Sequence, residues 1–390
     1  MERPPGGDAV HQDDAVEQVV ATVRRFVARE VVPVAAQLER ADEFPTAIVE
    51  HMRELGLFGA TIPEVYGGLG LDLVTYARIV EELAYGWMSL AGIVNTHTMV
   101  AALIMAYGTE QQRERWLPAM ARGERRGALS LSEPGAGTDA RSVSCTAARD
   151  GDGFVVNGTK AWVTNGERAG IIALAVRTDE GISVLVVEKD PGPAFGGIAV
   201  TRQVQKLGYR GIETVDMTYT DHRVPADNLL GDPGRGLAQM LSVLEIGRIN
   251  IAARACGVAR AAFDAALGYA RQRVSFGKPI AEHQAIQMKL ADMATRLEAA
   301  RLLTLSAAKR KAAGRRCDVE AGMAKLFASE TAFELATEAM RIHGGAGYTT
   351  DLPVERYLRD APLMMIGEGT NEIQRLVIAR GLLARAAARD

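Results

Sequence analysis

The sequence predicts an α+β fold in three parts: an N-terminal helical domain, a middle β-barrel-like or sandwich domain, and a C-terminal four-helix bundle. Three observations carry this. Apolar residues recur at helical spacing up to about Gly123. Short β-branched runs separated by turn clusters fill Ala128 to about Asp232. Helical spacing then returns from Leu237 to the end. The domain boundaries that follow are 1–125, 126–235 and 236–390. A Rossmann-type nucleotide fold alternates strand and helix, and no Gly-x-Gly-x-x-Gly or P-loop stands in a strand-to-helix context here. Any nucleotide cofactor must be held in another way.

In the first zone Val16, Val19, Val20, Val23, Phe26 and Val27 form one apolar helical face, with Pro33 near the helix end. A second helix is expected over Thr46 to Leu57. The stretch Pro63-Glu-Val-Tyr-Gly-Gly-Leu-Gly70 reads as a loop by its glycines. Helices resume over Asp72 to Tyr107 and again around Glu110 to Ala121. In the second zone Phe154 to Val156, Ile171 to Val176 and Ile182 to Val187 read as strands, and Asp150 to Gly153 as a turn. Thr214 to Thr220 alternates as a half-buried strand does. In the third zone four long segments are expected, at about 237–273, 282–313, 318–343 and 371–387. Gly314 and Gly344-Gly345 stop two of them, and the short connections indicate an antiparallel bundle.

The 45 basic and 48 acidic residues leave a net charge of -3, so no basic footprint points to nucleic acid or to an anionic membrane surface. Cys145, Cys256 and Cys317 are far apart and odd in number, without disulfide or metal spacing; they read as buried thiols in a reducing compartment. Met1 to Asp14 is polar, lacks a signal-peptide pattern and reads as a frayed leader. No apolar stretch approaches the ~20 residues that span a bilayer. A cytoplasmic location is expected.

Five segments carry chemistry. In Leu129-Ser-Leu-Ser-Glu-Pro-Gly-Ala-Gly-Thr-Asp139, a strand enters a Pro-Gly-x-Gly turn whose backbone N–H groups and hydroxyls can face a ligand. In Lys160-Ala-Trp-Val-Thr-Asn-Gly166, Trp162 can stack on a flat ring and Thr164 can bond a heteroatom, although composition alone favours a core tryptophan. Arg271-Gln-Arg-Val-Ser-Phe-Gly-Lys278 is either a basic helix end or a phosphate clamp. Arg341-Ile-His-Gly-Gly-Ala-Gly-Tyr348 lets backbone approach a diphosphate, and its His343 reads as structural. In Leu363-Met-Met-Ile-Gly-Glu-Gly-Thr-Asn-Glu-Ile-Gln374, Glu368 stands between two glycines, after an apolar run and before a helix that Thr370 or Asn371 can cap. Such a carboxylate is either an exposed loop residue or a base of raised pKa beside apolar walls.

Together with Tyr66-Gly-Gly-Leu-Gly70, these segments in this order resemble the acyl-CoA dehydrogenase family, over nearly the whole chain. The resemblance implies FAD between the β domain and the bundle. Leu129, Leu131, Ser132, Gly137, Thr138, Trp162 and Thr164 would line the flavin. Arg273, Ser275 and Phe276 would reach the adenine diphosphate of a neighbouring subunit, as would Arg341, Gly344 and Gly345. Thr370 and Glu372 would touch the cofactor after the catalytic loop. Thr138, Glu245, Arg248 and Gly369 would contact the acyl-CoA. Sharing between subunits requires a homo-oligomer, with a dimer of dimers as the family's usual form.

By the same resemblance Glu368 is the α-proton base. Some branched-chain and long-chain relatives carry their glutamate immediately before the arginine that is here Arg248, and this chain has Gly247 there. A thioester α hydrogen is weakly acidic, so a placed base and a stabilised enolate are both needed. The family's chemistry implies that the carbonyl is bonded by the N–H of the catalytic Glu and a ribityl hydroxyl, while the β hydrogen leaves as hydride, giving a trans-2-enoyl thioester. The substrate is read as a short- or branched-chain acyl-CoA and the electron acceptor as electron-transfer flavoprotein. The alternatives are an acyl-CoA oxidase, an acyl-carrier-protein-linked dehydrogenase and, remotely, a DNA-binding relative. Two departures stand out. Many relatives have Gln at Arg341 and Tyr at Gly367; the lost bulk at Gly367 implies tolerance of substitution at the α carbon. Glutaryl-type relatives bear an Arg where ungapped counting puts Leu90, which weighs against a dicarboxylyl substrate.

Overall fold

The computed structural model describes residues 7–388. The leader expected over Met1 to Asp14 lies partly outside the described residues; from Gly7 onward the chain is already helical. Helix α1 (Gly7–Phe26) passes through one π turn (Val27–Val31) into α2 (Val32–Ala41). Pro33, expected near a helix end, sits instead in the first turn of α2, where its missing N–H breaks no bond. Then come α3 (Thr46–Glu54), α4 (Leu73–Gly86), α5 (Met88–Tyr107) and α6 (Glu110–Ala121). The Asp72 carboxylate caps α4 by accepting from Thr75 N at 2.8 Å, and Thr109 with Gln112 forms a capping box on α6.

Helix α5 corrects one expectation. Its 20 residues are long and apolar enough to cross a membrane, yet 83% of the apolar window is buried inside the fold. It packs against α4, α6, α7 and the middle domain, and a helix covered on every side is apolar all round.

The middle domain is one nine-stranded sheet: β1 (Gly127–Ser130), β2 (Thr146–Asp150), β3 (Gly153–Thr164), β4 (Ile171–Thr178), β5 (Gly181–Glu188), β6 (Ala194–Phe195), β7 (Ile198–Gln203), β8 (Thr214–Pro225) and β9 (Leu229–Leu230). The order is β6-β7-β8-β3-β2-β4-β5-β9, with β1 parallel to β4. Strands β2 and β4 meet in parallel through the single pair Thr146 and Arg177. Phe154, Val156, Leu174, Val176, Leu185 and Met217 fill the enclosed core.

The C-terminal part holds α7 (Gly236–Gln272), α8 (Gln284–Ala312), α9 (Asp318–His343), α10 (Val354–Ile366) and α11 (Asn371–Ala387). Four of these match the expected segments to within two residues. The fifth, α10, is not among the expected helices; only its end, Leu363 to Ile366, reads as an apolar run, and Pro362 lies inside the helix. This helix joins the three parts. Arg356 donates to Gly86 O at 3.0 Å, Arg359 pairs with Glu39, and Asp360 accepts from Tyr209 N at 2.6 Å. It thereby fixes where the following loop emerges.

Candidate active site

The chain after α10 reverses sharply. Glu368 has φ +57° and Gly369 φ +86°, and Thr370 then caps α11 by accepting from Ile373 N. A left-handed non-glycine residue is strained by roughly 1–2 kcal/mol, so neighbours must hold it. Lys325 of α9 does this. Its fully buried ammonium donates to Met365 O at 3.1 Å, Gly369 O at 2.9 Å and Asn371 Oδ1 at 2.8 Å. From α11, Gln374 Nε2 donates to Glu368 O at 3.2 Å and Gly369 O at 2.9 Å.

The Glu368 carboxylate points between α5 and α7. Oε1 accepts from Asn95 Nδ2 at 3.2 Å. On the other side is Gly247, where a Cβ would come within 2.8 Å of the carboxyl carbon. Positions 247 and 368 therefore converge on one point, and a side chain at 247 would displace the Glu368 carboxyl. Glu368 is half-buried and opens partly to the cleft. Burial raises its pKa; the Arg254 charge, the Asn95 bond, Arg248 and Lys325 pull back without cancelling the rise. Burial brings Lys325 down to about 8, against the opposing pull of Glu368.

The first two sequence segments meet at the edge of the β domain. Ala161 N donates to Ser132 O at 2.9 Å. The buried Glu133 carboxylate accepts from Lys160 Nζ (2.8 Å), Ser144 N (2.7 Å), Ser144 Oγ (2.6 Å) and Cys145 N (2.9 Å). Burial works to raise this carboxyl, but those donors prevail and hold it at about 2. Trp162 is not the core residue that composition favoured: it is 58% exposed, with φ +62° at an irregularity between β3 and β8. It lines a cavity of about 560 Å³ with Leu207, Tyr209, Leu363 and Ile366, between the β domain and α10.

The other expected cofactor residues lie elsewhere. From Gly247 to Arg273 helix α7 runs 26 residues, or about 39 Å. Phe276, 95% exposed, tips a small hairpin at that far end. The His343 ring packs on Tyr269 with centroids 4.3 Å apart, which brings Arg341, Gly344 and Gly345 to the same end. His343 is structural, as its sequence context suggested, with Nδ1 bonded to Ala339 O. Arg341 pairs with Glu338, and the Cβ positions of Gly344 and Gly345 face open space. One chain thus holds the residues expected to contact the cofactor in two separate groups, one beside Trp162 and one at the far end of α7.

Family models for the acyl-CoA dehydrogenase N-terminal, middle and C-terminal domains match residues 13–124, 128–222 and 234–383. The mitochondrial short-chain specific acyl-CoA dehydrogenase of Rattus norvegicus is 43% identical over 93% of this chain and 88% of its own length. The chain belongs to the acyl-CoA dehydrogenase family. The butyryl-CoA dehydrogenase of Megasphaera elsdenii superposes with a TM-score of 0.92 at 35% identity, over 98% of this chain and 100% of that one. A chain from the structure of the electron transferring flavoprotein of Acidaminococcus fermentans superposes with a TM-score of 0.92 at 36% identity, over 98% and 100%.

This acyl-CoA dehydrogenase is an oxidoreductase acting on CH–CH bonds, and its cofactor is FAD. The residues present fit that group. A flat ring system needs an exposed stacking surface, apolar walls and a few polar atoms. Trp162 and its cavity supply the first two; Ser132, Thr138 and Thr164 supply the third, and the Cβ positions of Gly135 and Gly137 face open space. Arg248 is buried with its Nε unpaired, while Glu245 on the same helix face is bonded to Lys311 at 2.6 Å. Leu90 is buried in the N-terminal core. Asn95, Arg254, Lys325 and Gln374 went unread in the sequence. The signal available for two of them was a charge inside an apolar helical run, as in Ala252-Ala-Arg-Ala-Cys256 and Met323-Ala-Lys-Leu-Phe327.

Proposed function

We propose that this acyl-CoA dehydrogenase oxidises a short- or branched-chain acyl-CoA between its α and β carbons to the trans-2-enoyl thioester, with Glu368 as the base. The observation that carries the reading is the half-buried Glu368 carboxylate on a loop fixed by Lys325 and Gln374. A base for a weak carbon acid benefits from a raised pKa, because the proton it takes is then held more firmly. The acyl chain lies between the carboxylate and the Trp162 side of the cleft, and the N–H of Glu368 is the donor for the thioester carbonyl. FAD, when bound, supplies the two-electron acceptor for the β hydrogen. Leu129, Leu131, Ser132, Gly137, Thr138, Trp162, Thr164, Thr370 and Glu372 hold its flavin end. Arg273, Ser275, Phe276, Arg341, Gly344 and Gly345 serve the diphosphate of a second subunit. Thr138, Glu245, Arg248 and Gly369 contact the acyl-CoA.

The names of the rat and Megasphaera relatives support a short acyl group, and the Acidaminococcus structure supports electron-transfer flavoprotein as the acceptor. Gly367 favours acceptance of an α branch. The domains are assigned to 1–125, 126–235 and 236–390, the assembly to a dimer of dimers and the location to the cytoplasm. Glu368→Gln should keep FAD and lose on the order of 10²–10⁴-fold in dye-coupled turnover, the range for general base catalysis. Near-normal turnover by that variant refutes the role.

A further inference from the structure

Gly247, Asn250 and Arg254 stand at i, i+3 and i+7 on α7 and share one face. Gly247 abuts the Glu368 carboxyl. Asn250 is fully buried; it donates to Tyr76 OH at 3.0 Å and accepts from Arg254 Nη2 at 2.8 Å. Arg254 is 2% exposed, and its guanidinium lies over the Tyr209 ring, 5.4 Å from the centroid. Among the described residues no carboxylate forms an ion pair with it, and its Nε–H has no partner. The half-buried Arg260, nearly two turns further along, shows the usual arrangement: it is bonded to Glu82 at 2.7 Å. On α5, opposite, Asn95 Oδ1 is likewise buried and unpaired.

A buried cation without an acid is costly, and a guanidinium with an unused donor is a ready receptor for a carboxylate. The Arg254 charge acts on Glu368 more strongly than do those of Arg248 and Lys325. That compensation is lost in turnover, because Glu368 becomes neutral when it takes the α proton. A second anion beside Arg254 would keep it paired throughout. The helix sets the distance. Seven residues span about 10 Å, and helical side chains lean toward the N-terminus, so the guanidinium reaches back toward the base and leaves length for only a short acyl chain.

We propose that Arg254 receives a terminal carboxylate of the acyl group, so that the substrate is the monothioester of a short dicarboxylic acid. This rests on the dehydrogenase reading above and narrows it. It also sets aside the weight that Leu90 put against a dicarboxylyl substrate, since the cation stands on α7 rather than on an N-terminal helix.

The test compares glutaryl-CoA with its methyl ester, which has nearly the same shape but no charge, using the FAD-loaded enzyme and a dye acceptor. The expected result is a kcat/KM at least about tenfold higher for the acid, expressed mainly in KM. Arg254→Gln should abolish that preference and Arg254→Lys restore part of it, with flavin content and thermal midpoint measured alongside. The wild-type comparison decides the question even if a variant does not fold. Equal use of acid and ester overturns the assignment. So does an Arg254→Gln variant that slows both substrates equally while displacing the pH profile, the behaviour of a counter-ion for Glu368 alone. Failure of every thioester to bleach the flavin instead overturns the dehydrogenase reading, and this inference with it.

Discussion

Replacing Gly247 by alanine tests the placement of Glu368, the proposed base, without altering that residue. The added Cβ would lie 2.8 Å from the Glu368 carboxyl carbon and 2.8 Å from Oε2, with Met99 Sδ at 3.1 Å behind it. Ordinary van der Waals contact begins at 3.4 Å, so the carboxylate must retreat by about 0.6 Å. The obstructing atoms are the end of a side chain, so the fold can accommodate the change. An alanine within a helix is moreover favoured over glycine by about 1 kcal/mol. Stability should hold or rise while the chemistry suffers. A misplacement of about 1 Å costs on the order of 10²-fold, so 0.6 Å should slow flavin reduction by roughly ten- to a hundredfold. The assay is anaerobic bleaching of the flavin after mixing with butyryl-CoA, beside a thermal melt. Bleaching at the wild-type rate, with the substitution verified and the melt unchanged, would show that catalysis does not depend on the carboxylate standing where it is seen.

The raised pKa of Glu368 has two consequences of known sign. In the proposed role Glu368 acts in its ionised form, so kcat/KM should fall as pH drops through a value above the ordinary carboxylate range, and a limb at or below that range refutes the assignment. Because ionisation is harder in the fold than in the unfolded chain, it costs stability fully above the raised pKa and not at all below the unfolded one; Glu368→Gln should therefore melt higher than wild type at neutral pH. Lys325→Met removes a charged donor from Met365 O, Gly369 O and Asn371 Oδ1, of which the last two keep Gln374 Nε2 and Ser329 Oγ. Urea unfolding should show a loss on the order of 3 kcal/mol, and bleaching should slow more than flavin is lost. An unchanged urea midpoint would mean that the loop holds itself.

The helices of the bundle were legible because long amphipathic runs ended at glycines, as Gly314 and Gly344 do. Helix α10 was not, because Pro362 and a mixed stretch masked a periodicity that tertiary contacts through Arg356, Arg359 and Asp360 stabilise. Trp162 was misjudged on composition for a related reason: a tryptophan is usually buried, and only the cavity it lines gives its exposure a purpose. Glu368 stood out in the sequence through its flanking glycines and the family resemblance. Its supporting residues were not, since Lys325 and Arg254 differ from other helical cations only in facing inward. Periodicity finds the buried stripe of a helix, but it does not say what a charge within that stripe is bonded to.

The length of α7 bears on assembly. It holds Gly247 against the base and carries Arg273 and the exposed Phe276 about 39 Å away, at the end where Tyr348, 85% exposed, also lies. Phe276 and Tyr348 both stand exposed there, and the Cβ positions of Gly344 and Gly345 face open space. If the far end of one chain completes the diphosphate site of another, cofactor binding and subunit association are one linked equilibrium. Dilution of the purified holoenzyme should then release FAD in step with dissociation, and added FAD should drive reassociation. The measurement is flavin fluorescence set against sedimentation over a dilution series. Subunits that separate and keep their flavin with undiminished affinity would show that each chain holds its cofactor alone, and that Arg273, Ser275 and Phe276 have no part in the site.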